Sequence, residues 1–141
     1  MILDTTYTDK KHTELINEMV GKPYSFLQKF RLKGVGSKRM MIEDVSPNMK
    51  HYMNKVAAVN YANLEIRPKG LLIRINKGLQ NFTWIIPYYH LVMQKTDGSS
   101  IHAQGKYIQF RKNTTFRENR AFFKKLLDEK VNYEAEYNIL P

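Results

Sequence analysis

Four histidines, His12, His51, His90 and His102, are the side chains best suited to metal binding or proton transfer, and their spacing supports neither. None falls into an HxH, HxxxH or HExxH pattern that would aim two rings at one ion. His90 and His102 would have to meet across neighbouring strands. Cysteine is absent, which removes thiolate zinc sites, disulfides and cysteine nucleophiles together. Glu43 and Asp44 are adjacent, and adjacent carboxylates point apart in most conformations, so they read as a solvated loop and not as an acid–base pair. Gly34-Val35-Gly36-Ser37-Lys38 has the residue types of a phosphate loop without the GxxxxGK[ST] spacing, and reads as a turn. No Ser, His and acid follow a recognised catalytic order. The expectation is a non-catalytic protein with no metal and no cofactor. A small enzyme or ligand carrier with a pocket inside the fold remains as an alternative.

Charge is the stronger signal. The chain carries 23 Lys and Arg against 13 Asp and Glu, a net +10. Residues 46–114 hold ten basic and two acidic residues, whereas residues 115–141 are neutral. A second acid-free stretch lies between Glu18 and Glu43 and contains Lys22, Lys29, Arg31, Lys33, Lys38 and Arg39. Such a field draws anionic partners: a membrane headgroup, an acidic protein or a nucleic acid. Arg67, Lys69 and Lys77 fall in predicted turns, with Arg74 on the strand between them, and are the candidate anion-binding residues, expected to gather near one edge. Tyr88, Tyr89, Tyr107 and Phe110 lie among Lys95, Lys106, Arg111 and Lys112. Tyr89 and Tyr107 are the candidate stacking residues if the partner is single-stranded nucleic acid. The RNP octapeptide and the GXXG loop are both missing, and the same aromatics suit ordinary sheet packing.

These residues need elements to position them. The 141 residues suffice for one domain with its own core, and 43% of them are apolar. Thr8 or Asp9 can cap a helix in which Leu15, Ile16, Met19 and Val20 recur at helical spacing before Gly21 ends it. Tyr24, Phe26, Leu27, Phe30 and Leu32 fit neither the helical nor the strand period. A loop at Asp44–Asn48 marks a seam, giving a partly helical N-terminal extension over 1–45 and a β-domain over 46–141. Met53 to Tyr61 reads as a first strand, and Leu64 and Ile66 suggest another. Arg67-Pro68-Lys69-Gly70 has the residue order of a type I turn. Leu71, Ile73 and Ile75 then alternate with Leu72, Arg74 and Asn76, and Phe82, Trp84 and Ile86 with Thr83 and Ile85. Tyr88–Gln94 begins the next strand, Thr96-Asp97-Gly98-Ser99 is a hairpin signal, and Ser100–Gln104 and Lys106–Arg111 complete the set. Thr115 and Glu118 have capping-box spacing, opening a helix with Phe116, Phe123 and Leu127 on one face and Phe122, Leu126 and Val131 beside it. The fold class is mainly β with α: an antiparallel sandwich or barrel capped by a C-terminal helix.

Short antiparallel strands ending in one amphipathic helix, with an Ile86-Pro87-Tyr88 step in the run GLLIRINKGLQNFTWIIPYYHLVM, resemble the bacterial pleckstrin-homology-like family over about residues 49–131. The chain as a whole is similar to short proteins of Bacteroidetes type. The resemblance implies a binding module, with Phe122 or Phe123 filling the place of the Trp that eukaryotic members carry in the final helix. Their phosphoinositide signature ends in a basic-x-Arg triplet, and Lys69 and Arg74 do not complete it, because Leu72 stands two positions before Arg74. With no signal-peptide pattern or long apolar run, the expected location is the cytoplasm, at most peripheral to the inner face of the membrane. An exposed sheet edge could also accept a peptide strand.

Overall fold

The computed structural model describes residues 1–54, 59–94 and 99–137. Its strands are β1 (Ile2–Asp4), β2 (Met40–Val45), β3 (Asn60–Arg67), β4 (Gly70–Lys77), β5 (Gln80–Pro87), β6 (Val92–Met93), β7 (Ser100–Ala103) and β8 (Lys106–Phe110). They form one antiparallel sheet in the order β1-β5-β4-β3-β2-β8-β7-β6. The mainly-β expectation with a closing helix stands at that level. The sheet is not closed into a barrel, since β1 and β6 are its two edges. A register shift between Ile42 and Asp44 interrupts the β2–β8 pairing. Gln104, in the turn joining β7 to β8, accepts hydrogen bonds from the Met1 ammonium at 2.7 Å and from the Trp84 indole N–H at 3.4 Å. The sheet therefore curls until its β7–β8 turn meets β1 and β5. Gln104 holds φ 55°, a left-handed conformation costing a non-glycine residue roughly 1–2 kcal/mol, and its two side-chain bonds offset that strain.

The helices are α1 (Lys10–Val20), α2 (Phe26–Arg31), α3 (Thr114–Arg117) and α4 (Arg120–Tyr137). Asp9 caps α1 through its carboxylate, and Gly21 at φ 87° ends it, as the sequence predicts. The C-terminal start differs. Asn113, not Thr115, caps α3, and the chain breaks at buried Asn119 before α4 begins. Inside the curl, Leu64, Ile66, Leu71, Ile73, Ile75, Trp84, Ile101, Ile108 and Phe110 form one core with Phe122, Phe123 and Leu126 of α4. On the outer face, α1 lays Val20, Ile16 and Met19 over Leu72 and Ile85. The alternation along β4 is as read, yet both faces are buried, because α1 covers what a half-solvated sheet would leave open.

Several expected boundaries move. Met53 closes a 3-10 turn over Pro47–Tyr52, and among the described residues Tyr61, Leu64 and Ile66 all fall in β3. Tyr88–His90 is a 3-10 turn, leaving β6 only two residues. Residues 55–58 and the Thr96-Asp97-Gly98 turn lie outside the described residues. Within residues 1–45, β1 is an edge strand and β2 runs through the middle of the sheet, so both ends of the expected extension pair with the β-body.

Gly70 fixes how closely α1 approaches the β3–β4 hairpin. A Cβ there would lie 2.3 Å from the Ile86 carbonyl oxygen, 2.6 Å from Val20 Cγ1 and 2.9 Å from Pro87 Cα. Two of the three are backbone and cannot yield without breaking the β4–β5 ladder. Gly70→Ala is therefore expected to cost about 3 kcal/mol. In urea unfolding this should lower the midpoint while leaving the slope unchanged.

Candidate functional site

The four candidate anion-binding residues are not brought together. Arg67 is buried at 7% exposure. Its guanidinium bonds the Glu65 carboxylate, Asn17 Oδ1 at 3.2 Å and the Gly21 carbonyl at 3.0 Å, so it closes the C-terminal end of α1. Arg74 donates to the other Glu65 oxygen at 2.8 Å. Lys77 donates to the His51 carbonyl at 2.6 Å. Lys69 is exposed at the β3–β4 turn, while Lys77 sits at the far end of β4, roughly 25 Å away at the rise of an extended strand. The expected cluster at one edge is corrected: two of its four cations serve one carboxylate, and the others stand at opposite ends of a strand. Burial works to raise Glu65, but the Arg67 hydrogen bond and the charges of Arg74 and Arg67 outweigh it and hold the carboxyl below its ordinary range.

The candidate stacking residues also have partners. The Tyr107 ring stacks on His102 at 5.3 Å, and its hydroxyl donates to Asp44 at 3.1 Å, which pushes the phenol pKa up. Tyr89 is exposed beside the His90 ring at 4.4 Å. His90 and His102 both line one surface cleft, but no group of three ligating side chains forms among the described residues.

A different surface combines charge with exposed apolar area. In the acid-free stretch, Ser25 and Gln28 form a reciprocal capping box that starts α2. The helix ends in a Schellman arrangement, with the Gly34 N–H on the Lys29 carbonyl, the Lys33 N–H on that of Phe30, and Lys33 itself at φ 58°. Six residues of isolated helix would not persist in water. Two tethers hold it. Leu32 and Tyr24 pack against the main core, which brings the Tyr24 hydroxyl near the Glu129 carboxylate of α4. Burial, and then Glu129, push Tyr24 up to about 12. Lys125 of α4 donates to the carbonyls of Lys33 at 3.3 Å and Gly34 at 2.8 Å, and burial beside Lys33 lowers its pKa.

What this anchored helix presents is unusual for a monomer surface. Phe26, Leu27 and Phe30 are 84%, 72% and 80% exposed. At i, i+1 and i+4 they share an arc of about 100°, with Lys29 and Arg31 on either side of it. Lys22, Lys33, Lys38 and Arg39 are exposed nearby in the chain, and none of these six cations enters an ion pair among the described residues. Arg39 instead lies over the Tyr61 ring at 4.0 Å. Scattered single apolar residues on a surface are ordinary, whereas three together on one turn, ringed by cations, form a contiguous exposed apolar patch. The signal was in the sequence as the Ser25–Gln28 cap and the Phe26/Phe30 spacing, but Tyr24 and Leu32, which face inward, blurred the period.

No family model, curated protein or solved structure matches the chain. The reading of function rests on this surface.

Proposed function

We propose that the protein is a non-catalytic module that docks peripherally on an anionic membrane surface through α2. The observation that carries the reading is the exposed Phe26, Leu27 and Phe30 set inside an acid-free field of lysine and arginine. A short amphipathic helix of this composition lies in the headgroup region with its aromatic side chains in the acyl boundary and its cations on lipid phosphates. Each Lys or Arg near such a surface adds about 1 kcal/mol at low salt, and the apolar side chains add their burial. Among the described residues no helix is long and apolar enough to cross a membrane, so binding of this kind would be reversible. The antiparallel strands and closing α4 support a pleckstrin-homology-like reading of the body, with β1, α1 and α2 placed ahead of β2. A nucleic-acid reading has less support, because Asp44 sits on the Tyr107 hydroxyl where a phosphate would be repelled.

The test is flotation of the full chain with phosphatidylcholine vesicles, with and without phosphatidylserine, at low and high salt. Binding is expected with the anionic vesicles, and it should weaken as salt screens the lysines. Indifference to phosphatidylserine would overturn the reading, as would tighter binding to a single-stranded oligonucleotide than to any vesicle.

A further inference from the structure

A second amphipathic surface lies on the other flank of α4. Arg120, Phe123, Lys124 and Leu127 follow at i, i+3, i+4 and i+7 and so share one face of that helix. Lys125, which holds the end of α2, and Glu129, which faces Tyr24, fall on the opposite side. With Phe116 and Arg117 of α3, this face lines a pocket of about 330 Å³, and Lys112 completes its rim. Phe116 and Phe123 are buried with ring centroids 5.4 Å apart, so with Leu127 they make an apolar floor. Among the described residues, the polar side chains that line it are all cationic, Arg117, Arg120 and Lys124 among them. Arg117 reaches the Lys112 carbonyl only at 3.5 Å, leaving most of its five donors for a ligand.

A ligand for such a pocket needs the same division. Inorganic phosphate would use the rim and leave the floor wet, and a neutral hydrocarbon would do the reverse. We infer that this pocket binds a single-chain anionic amphiphile, an aliphatic chain ending in carboxylate or phosphate, with the chain on Phe116, Phe123 and Leu127 and the head between Arg117, Arg120 and Lys124. Its volume is at the lower end of the ligand-pocket range, suited to one chain. This site is separate from the α2 face and does not depend on it.

Titration calorimetry of the full chain with dodecanoate, dodecyl phosphate, dodecanol and inorganic phosphate, each amphiphile below its micelle concentration, tests the inference. One dodecanoate or dodecyl phosphate per chain should bind, and the tighter of the two identifies a carboxylate or a phosphorylated head. Dodecanol, and dodecanoate with the Arg120→Gln/Lys124→Gln variant, should each bind about tenfold more weakly, the loss of roughly one charged contact. Leu127→Trp, which fills the pocket, should abolish binding, while a Phe26→Ser/Phe30→Ser chain should bind as the parent does. Equal affinity for dodecanol and dodecanoate would overturn the inference, as would insensitivity to both pocket variants or inorganic phosphate binding as tightly as dodecyl phosphate.

Discussion

A chain carrying Phe26→Ser together with Phe30→Ser is expected to bind anionic vesicles about 100-fold more weakly than the parent, at unchanged stability. Burying a phenylalanine side chain fully gives roughly 1.5–3 kcal/mol, and a ring in the acyl boundary realises part of that. Two rings then supply about 3 kcal/mol, or two decades at about 1.4 kcal/mol each. Because both side chains are at least 80% exposed, the fold loses no packing and the unfolding free energy should change by less than about 0.5 kcal/mol. A charge variant, Lys29→Gln with Arg31→Gln, should lose about 2 kcal/mol at low salt and almost nothing at high salt, where the parent already has little electrostatic contribution left. Flotation curves against lipid concentration separate the two patterns. If the serine variant instead binds vesicles as tightly as the parent, α2 is not the docking element. If the parent elutes as a dimer and the serine variant as a monomer, α2 is covered by a second copy and the membrane reading is overturned.

The periodic parts of this fold were legible because one contact partner dictated their pattern. Leu71, Ile73 and Ile75 alternate because they face one core, and Asp9, Val20 and Gly21 mark a helix because capping is a local matter. Residues with two masters were not legible. Leu72 and Ile85 look like the solvent side of a strand, and only the return of α1 over β4 and β5 buries them. Met40–Val45 reads as the end of an extension, since its partners β3 and β8 lie far along the chain. Arg67 shows the same limit at the candidate site. Its position beside Pro68 places it at a turn, where a cation usually meets water, while the acceptors that draw it inward, Asn17 and Gly21, are nearly fifty residues away. The α2 face escaped for the opposite reason: its outward aromatics are flanked by inward ones, so no single period describes Tyr24 to Leu32.

Replacing Glu65 by glutamine should cost about 3–5 kcal/mol at neutral pH, the usual penalty for stranding a buried charge. The Arg67 side chain is 8% exposed and the Glu65 side chain 21%, so the guanidinium cannot recover its lost counter-ion from water. Asn17 and the Gly21 carbonyl would still accept its hydrogen bonds, which keeps the cost toward the lower end, but neither carries charge. Glu43→Gln is the matched control. It removes the partner of Arg111, where both side chains are 47% exposed, and should change stability by no more than about 1 kcal/mol. The sign with pH follows from the depressed Glu65 carboxyl. A group held below its unfolded value stabilises the fold above that value, about 4.3 for a glutamate, and loses the contribution as pH falls through its lower folded value. Urea unfolding should therefore show a wide gap between parent and Glu65→Gln at pH 7 that narrows below about pH 4, whereas the small Glu43→Gln gap stays small throughout. A Glu65→Gln chain as stable as the parent at neutral pH would mean that Arg67 is not held by its charge, and the turn beneath α1 would have to be anchored by packing alone.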